Sequence, residues 1–127
     1  QQYGLTSPSF SRATRIEWAD GGDLLVSGTA SVVGHETRHA GQLIAQLQEI
    51  FTNLDALVAE ATRQRGGGKY QPHSFKFYLS QPALLPQLLP LLSAQFGDAA
   101  VTCLEGAICR RDLGLEIEGI YTAEPLP

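Results

Sequence analysis

Methionine is absent from the 127-residue chain, tryptophan occurs once and cysteine twice. The spacing of Cys103 and Cys109 fits neither a zinc motif nor a thioredoxin-like one. Free thiols in a reducing cytoplasm are therefore expected. Runs of basic residues are missing too. Nine Lys and Arg stand against 13 Asp and Glu, a formal net charge of -4. This argues against nucleic acid or an anionic membrane surface as a partner. No apolar run approaches the roughly 20 residues that span a bilayer. No basic start followed by an apolar stretch marks a retained signal peptide. The opening Gln1 and the lack of Met raise the expectation that the chain is a piece of something longer.

What is present has the composition of a globular domain: 43% hydrophobic and 17% charged residues. The length suits one domain, with residues 1–12 as an N-terminal arm and 13–127 as the folded unit. Ala13 to Trp18 reads as a strand, and "ADGGD" (Ala19 to Asp23) as a hairpin turn. Leu24 to Ser31 resumes as a strand with Gly28 inside it, the mark of a bulge or of a close approach to the backbone. Leu43, Leu47, Ile50, Leu54, Leu57 and Ala61 then recur at helical spacing, with Ile44, Phe51 and Val58 widening the stripe. "RGGGK" (Arg65 to Lys69) ends that helix.

His73 to Ser80 alternates, with Phe75, Phe77 and Leu79 on one side and Ser74, Lys76, Tyr78 and Ser80 on the other. Leu84 to Phe96 reads as a second helix, although Pro86 and Pro90 disturb its pattern. Ala99 to Leu104 and Asp112 to Tyr121 read as strands. The order strand, strand, helix, strand, helix, strand, strand predicts an α+β fold, a mixed sheet with both helices on one face. The opposite face would carry Lys76, Tyr78, Glu116 and Glu118 beside Ile120. Such a face is either solvated or an interface between subunits.

"GHETRH" (Gly34 to His39) contains His35-Glu36-x-x-His39, the spelling of a zinc protease. A zincin needs both histidines inside one helix, a third ligand and a metal-bound water. Here the motif follows a finished strand and lies at or before the helix's first turn. Gly41 and Gln42 stand where an extended motif would continue, and His73 and Glu60 are remote as third ligands. No metal site is expected.

With its neighbours attached, the same segment has a different reading. "SGTASVVGHETRHAGQ" (Ser27 to Gln42) resembles the chorismatase family, as do "SPSFSRA" (Ser7 to Ala13), "QEIFTNLDAL" (Gln48 to Leu57), "KFYLSQP" (Lys76 to Pro82) and "ICRRDLGLEIEG" (Ile108 to Gly119). These pieces follow the family's order over nearly the whole chain. The resemblance implies a reactive-intermediate deaminase (Rid, YjgF-like) fold, also described as chorismate-mutase-like, assembled as a cytoplasmic homotrimer. It implies hydrolysis of the enol ether of chorismate, releasing pyruvate and a dihydroxycyclohexadiene- or hydroxybenzoate-type acid. It also implies that complete members carry a further N-terminal domain. No organic cofactor is implied.

Enol-ether cleavage begins with protonation of the methylene carbon, a task for a carboxylic acid whose pKa is raised by burial. By the resemblance Glu116 is that acid, and Glu118, about 7 Å along the same strand face, would repel it into the protonated form. Cys109, seven residues before Glu116, is the implied companion for hydroxybenzoate products. Arg12, Ala30, His35, Lys76, Tyr78 and Arg110 are implied to bind the substrate, the cations gripping its carboxylates. Arg111 is a further cation, while Ser80 stands where the family pattern has a basic residue. Two other readings stay open. A Rid-type deaminase would want an Arg near Val101 to Cys103, where none stands. A non-catalytic trimeric binding module would use Glu116 and Glu118 only in salt bridges between subunits.

Overall fold

The structure is a computed structural model that describes residues 9–31, 40–79, 82–105 and 113–126. Five strands and two helices follow in the expected order: β1 (Ser9–Trp18), β2 (Gly21–Ser31), α1 (Ala40–Arg65), β3 (Gln71–Leu79), α2 (Leu85–Phe96), β4 (Ala100–Glu105) and β5 (Leu113–Ala123). A 3-10 turn, Pro82–Leu84, leads into α2. The strands form one sheet ordered β1-β2-β5-β3-β4. Pairs β1/β2, β2/β5 and β3/β5 are antiparallel and β3/β4 is parallel. Helix α2 makes the crossover that a parallel neighbour requires. Helix α1 joins β2 to β3, and β5, the last strand in sequence, is inserted between them.

One boundary departs from expectation. Residues 9–12 were assigned to an arm, yet β1 starts at Ser9, where its backbone pairs with Ala30. The polar "SFSR" gives little hydrophobic signal. The reach of β2 sets the length of β1, and Arg12 therefore sits within the ladder opposite Ser27.

Period-2 alternation assigns the two faces. Leu24, Val26, Phe75, Phe77, Leu115 and Ile117 are buried beneath the helices. Helix α1 presents Leu43, Leu47, Ile50 and Leu54, all fully buried, and α2 presents Leu88, Leu92 and Phe96. The junction of the layers is aromatic. Phe75 stacks on Phe96 with ring centroids 4.0 Å apart, while Phe51 meets Phe96 edge-on at 5.6 Å. Each such buried ring contributes roughly 1.5–3 kcal/mol by area removed from water.

Pro86 falls in the first turn of α2, where its missing N–H has no intrahelical partner to lose. Pro90 lies inside the helix and removes one bond, which the burial of Leu88, Leu92 and Phe96 outweighs. Helix α1 ends in Arg63 and Arg65, cations suited to the negative end of the helix dipole. Gly66 follows with φ 85°, a left-handed conformation that stops the helix at little steric cost.

Candidate functional site

Because both helices cover one face of the sheet, the other face remains open, and the register dictates who meets whom on it. One row runs Arg12, Ser27, Glu118, Lys76, Thr102 across all five strands. The next row places Glu116 between Thr29 on β2 and Tyr78 on β3. The row on the other side is Thr14, Leu25, Ile120, Ser74 and Ala100. Arg12 and Lys76 thus stand three strand spacings apart, about 14 Å at the backbone, with the two glutamates between them.

A concavity of about 660 Å³ occupies this face. Arg12, Ser27, Glu118, Lys76 and Thr102 supply its polar lining, while Leu25, Ala100 and Ile120 make its apolar floor. Glu118 belongs to the wall; Glu116 lies one row further and is not among the lining residues. The Tyr78 hydroxyl donates to Glu118 Oε2 at 3.1 Å, diagonally past its direct partner Glu116.

Glu116 and Tyr78 are both perturbed by their surroundings. Burial raises the Glu116 pKa above the ordinary carboxylate range, the charge of Glu118 raises it further, and Arg12 opposes both. Burial also raises the Tyr78 phenol, together with its bond to Glu118 and the negative charges of both glutamates. A carboxyl biased toward its protonated form lies beside an accepting carboxylate and two cations. Such a set can hold a small hydroxylated carboxylate and deliver a proton to it.

Of the sequence-derived site residues, Glu116, Arg12, Lys76 and Tyr78 are brought together on the open face. Ala30 is in β2, but its side chain lies outside the described residues, as do Cys109, His35 and Arg110 entirely. The His35–His39 motif also falls outside them, and α1 begins at Ala40. Glu60, once a conceivable metal ligand, is engaged by Arg63 and Gln64. Among the described residues no group of three His, Cys, Asp or Glu could hold a metal ion. Sequence reasoning passed over Ser27 and Thr102 as lining residues. Ser27 was legible, since it alternates with buried Leu24, Val26 and Gly28.

No helix among the described residues is long and apolar enough to cross a membrane. No family model matches the chain. The 3-hydroxybenzoate synthase of Streptomyces hygroscopicus is 34% identical over 130 residues, covering 94% of this chain and 38% of that protein. A chorismatase of Streptomyces rapamycinicus is 33% identical over 94% of this chain and 38% of its own length. The chain therefore spans somewhat over a third of the curated relatives it matches. A chorismatase crystal structure superposes with a TM-score of 0.63 at 31% identity, over 87% of this chain and 35% of that one. A putative translation initiation inhibitor from Salmonella typhimurium shares the fold, with a TM-score of 0.55 at 17% identity over 86% of this chain and 96% of that one. The α+β architecture expected from the order of elements, and the Rid-like frame implied by the resemblance, are the architecture found. At 34% identity across 94% of its length, and on a matching frame of strands and helices, the chain is a homologue of the chorismatases.

Proposed function

We propose that the chain supplies the catalytic part of a chorismatase-type hydrolase, which splits the enol ether of a chorismate-like dicarboxylate with water. Pyruvate leaves together with a dihydroxycyclohexadiene acid, and a hydroxybenzoate-type acid forms where the ring then loses one molecule of water. The names of the relatives support this reading, and one observation in this chain carries it. Glu116 sits half-buried on the open face, biased toward its protonated form by burial and by Glu118, beside a concavity that Arg12 and Lys76 enter from its two sides.

The carboxylic acid of Glu116 donates its proton to the methylene carbon of the enol ether. The resulting oxocarbenium carbon accepts water, and the hemiketal collapses to pyruvate and the ring alcohol. Arg12 and Lys76 neutralise the substrate's carboxylates. Ser27, Ser74 and Thr102 offer hydroxyls to the ring. The route takes a proton donor and water, so no metal or organic cofactor belongs to the proposal. Cys109, Arg110, His35 and the Ala30 side chain enter by the resemblance alone, as product-directing and binding groups. A cytoplasmic homotrimer is included, with the open face and its exposed Leu25 turned toward a neighbouring subunit.

Incubation with chorismate and assay of pyruvate tests the reading. Release is expected from the wild type and a loss of about 10²–10⁴-fold from Glu116→Gln, the range for a general acid. No pyruvate from the wild type, even when completed with the remaining part of a matched relative, overturns it. The deaminase reading is disfavoured on β4, where Val101, Thr102 and Cys103 offer no guanidinium to a carboxylate.

A further inference from the structure

We infer that Glu118 is a second catalytic carboxylate of this site, the base that removes the proton from the attacking water, and that Tyr78 is its positioning residue. The inference rests on reading the site as an enol-ether hydrolase, and three observations lead to it. Glu118 lines the concavity and Glu116 does not, so a ligand seated there meets Glu118 along its length and Glu116 at one edge. Glu118 accepts the Tyr78 hydroxyl at 3.1 Å, a contact that fixes the orientation of its carboxyl group at the wall of the concavity. The polar groups ranged in the row of Glu118 are donors or cations: Ser27 on β2, Lys76 on β3, Arg12 on β1 and Thr102 on β4. Among the described residues, Glu116, its neighbour on β5, is the group of like charge beside it on this face.

Two neighbouring carboxyls with different surroundings, one held by a phenol in the wall of the concavity and one a row away, are the arrangement from which separate acid and base roles are assigned. The protons balance over one turnover. Glu116 gives its proton to the methylene carbon and becomes a carboxylate. Water adds to the oxocarbenium carbon, and its proton goes to Glu118. In the collapse, the new hydroxyl returns its proton to Glu116 as the carbonyl of pyruvate forms. The ring carbon–oxygen linkage is kept, the bond from that oxygen to the hemiketal carbon breaks, and the departing oxygen takes the proton from Glu118. Both residues end as they began.

The experiment compares the wild type with Glu118→Gln, Glu118→Ala and Tyr78→Phe in pyruvate release from chorismate, with circular dichroism to verify folding. Glu118→Gln keeps an acceptor for Tyr78 and is expected to lower kcat about 10²–10⁴-fold with little change in KM. Glu118→Ala leaves room for a small carboxylate, and added formate is expected to restore part of the rate, a response that loss of a structural contact does not give. Tyr78→Phe is expected to lower kcat less, about tenfold, with KM little changed, the split that a residue orienting the base produces and loss of a merely structural contact does not. An active, Glu116-dependent wild type with Glu118→Gln within tenfold of its rate, or Glu118→Ala indifferent to formate, overturns the inference and leaves the proposed function standing. A wild type without chorismate cleavage overturns both.

Discussion

Arg65, the last residue of α1, grips both carboxylate oxygens of Glu17 on β1 across 48 positions of sequence, with Nη2 to Oε2 at 2.8 Å and Nε to Oε1 at 3.0 Å. The guanidinium is fully buried, lies near the Tyr70 ring and also donates to the carbonyls of Gly67 and Glu124. It ties the helix end, the glycine loop and the chain beyond β5 to the edge strand. Glu17→Ala would leave that charge buried without its counterion, the costly way to break such a pair. The expected result is a fall in Tm well beyond that of Glu60→Ala, which removes only the exposed pair with Arg63. Thermal unfolding by circular dichroism of the two variants decides it; equal shifts would show the Arg65 contact to be incidental.

Gly28 concerns packing rather than charge. A Cβ there would lie 2.6 Å from Ile50 Cγ2 and 3.2 Å from Ser11 Oγ, so α1 rests directly on the backbone of β2. Gly28→Ala is expected to destabilise by about 1–3 kcal/mol, the usual cost of overpacking. Ile50→Ala alone should also destabilise, through its cavity. Combined, the two should cost less than their sum, because removing Cγ2 makes room for the new methyl. Chemical denaturation of the four proteins measures the coupling, and strict additivity would disprove the contact.

That glycine shows what sequence reading could reach. A Gly interrupting "LLVSGTAS" marks either a bulge or a close approach to the backbone, and the structure shows the second, with Ile50 as what approaches. The alternation of His73 to Ser80 likewise placed Lys76 and Tyr78 on a face apart from Phe75 and Phe77, because side-chain direction in a strand depends only on position. The pairing of Tyr78 with Glu118 was beyond reach. It arises because β5, last in sequence, is inserted between β2 and β3, and strand order is a product of tertiary packing. For the same reason Arg12 looked like part of an arm: its place in the ladder is dictated by β2, on which its own neighbours give little hint.

Tyr121 reports on the core at alkaline pH. Burial is the main reason its phenol is pushed up to about 12, with Asp55 adding to the rise and Gln95 opposing it. The unfolded chain ionises this group near 10. The folded state thus favours the neutral phenol, and the associated stability is full below pH ~10 and lost as pH rises toward ~12. Two units correspond to about 3 kcal/mol. Denaturant titrations across that window should show Tyr121→Phe losing less stability than the wild type. Parallel losses would show that Tyr121 ionises without regard to folding.

Glu116 makes the same argument at the site, with a sign that separates its two roles. A general acid works while protonated, so chorismate cleavage should fall as pH rises through the Glu116 pKa, a limb lying above the ordinary carboxylate range. Arg12 opposes the shift, so Arg12→Gln should carry the limb further up, even as its KM rises. For stability, a carboxyl raised on folding contributes fully below its unfolded pKa, and the contribution is lost as pH climbs through the folded value. Glu116→Gln, a permanently neutral mimic, should therefore raise Tm at about pH 7, and the gain should shrink toward zero near pH ~3.5, where the wild-type carboxyl is itself protonated. A Glu116→Gln protein less stable than the wild type at neutral pH would mean that the carboxylate is held by a favourable partner, and a proton donor at this position could not be sustained.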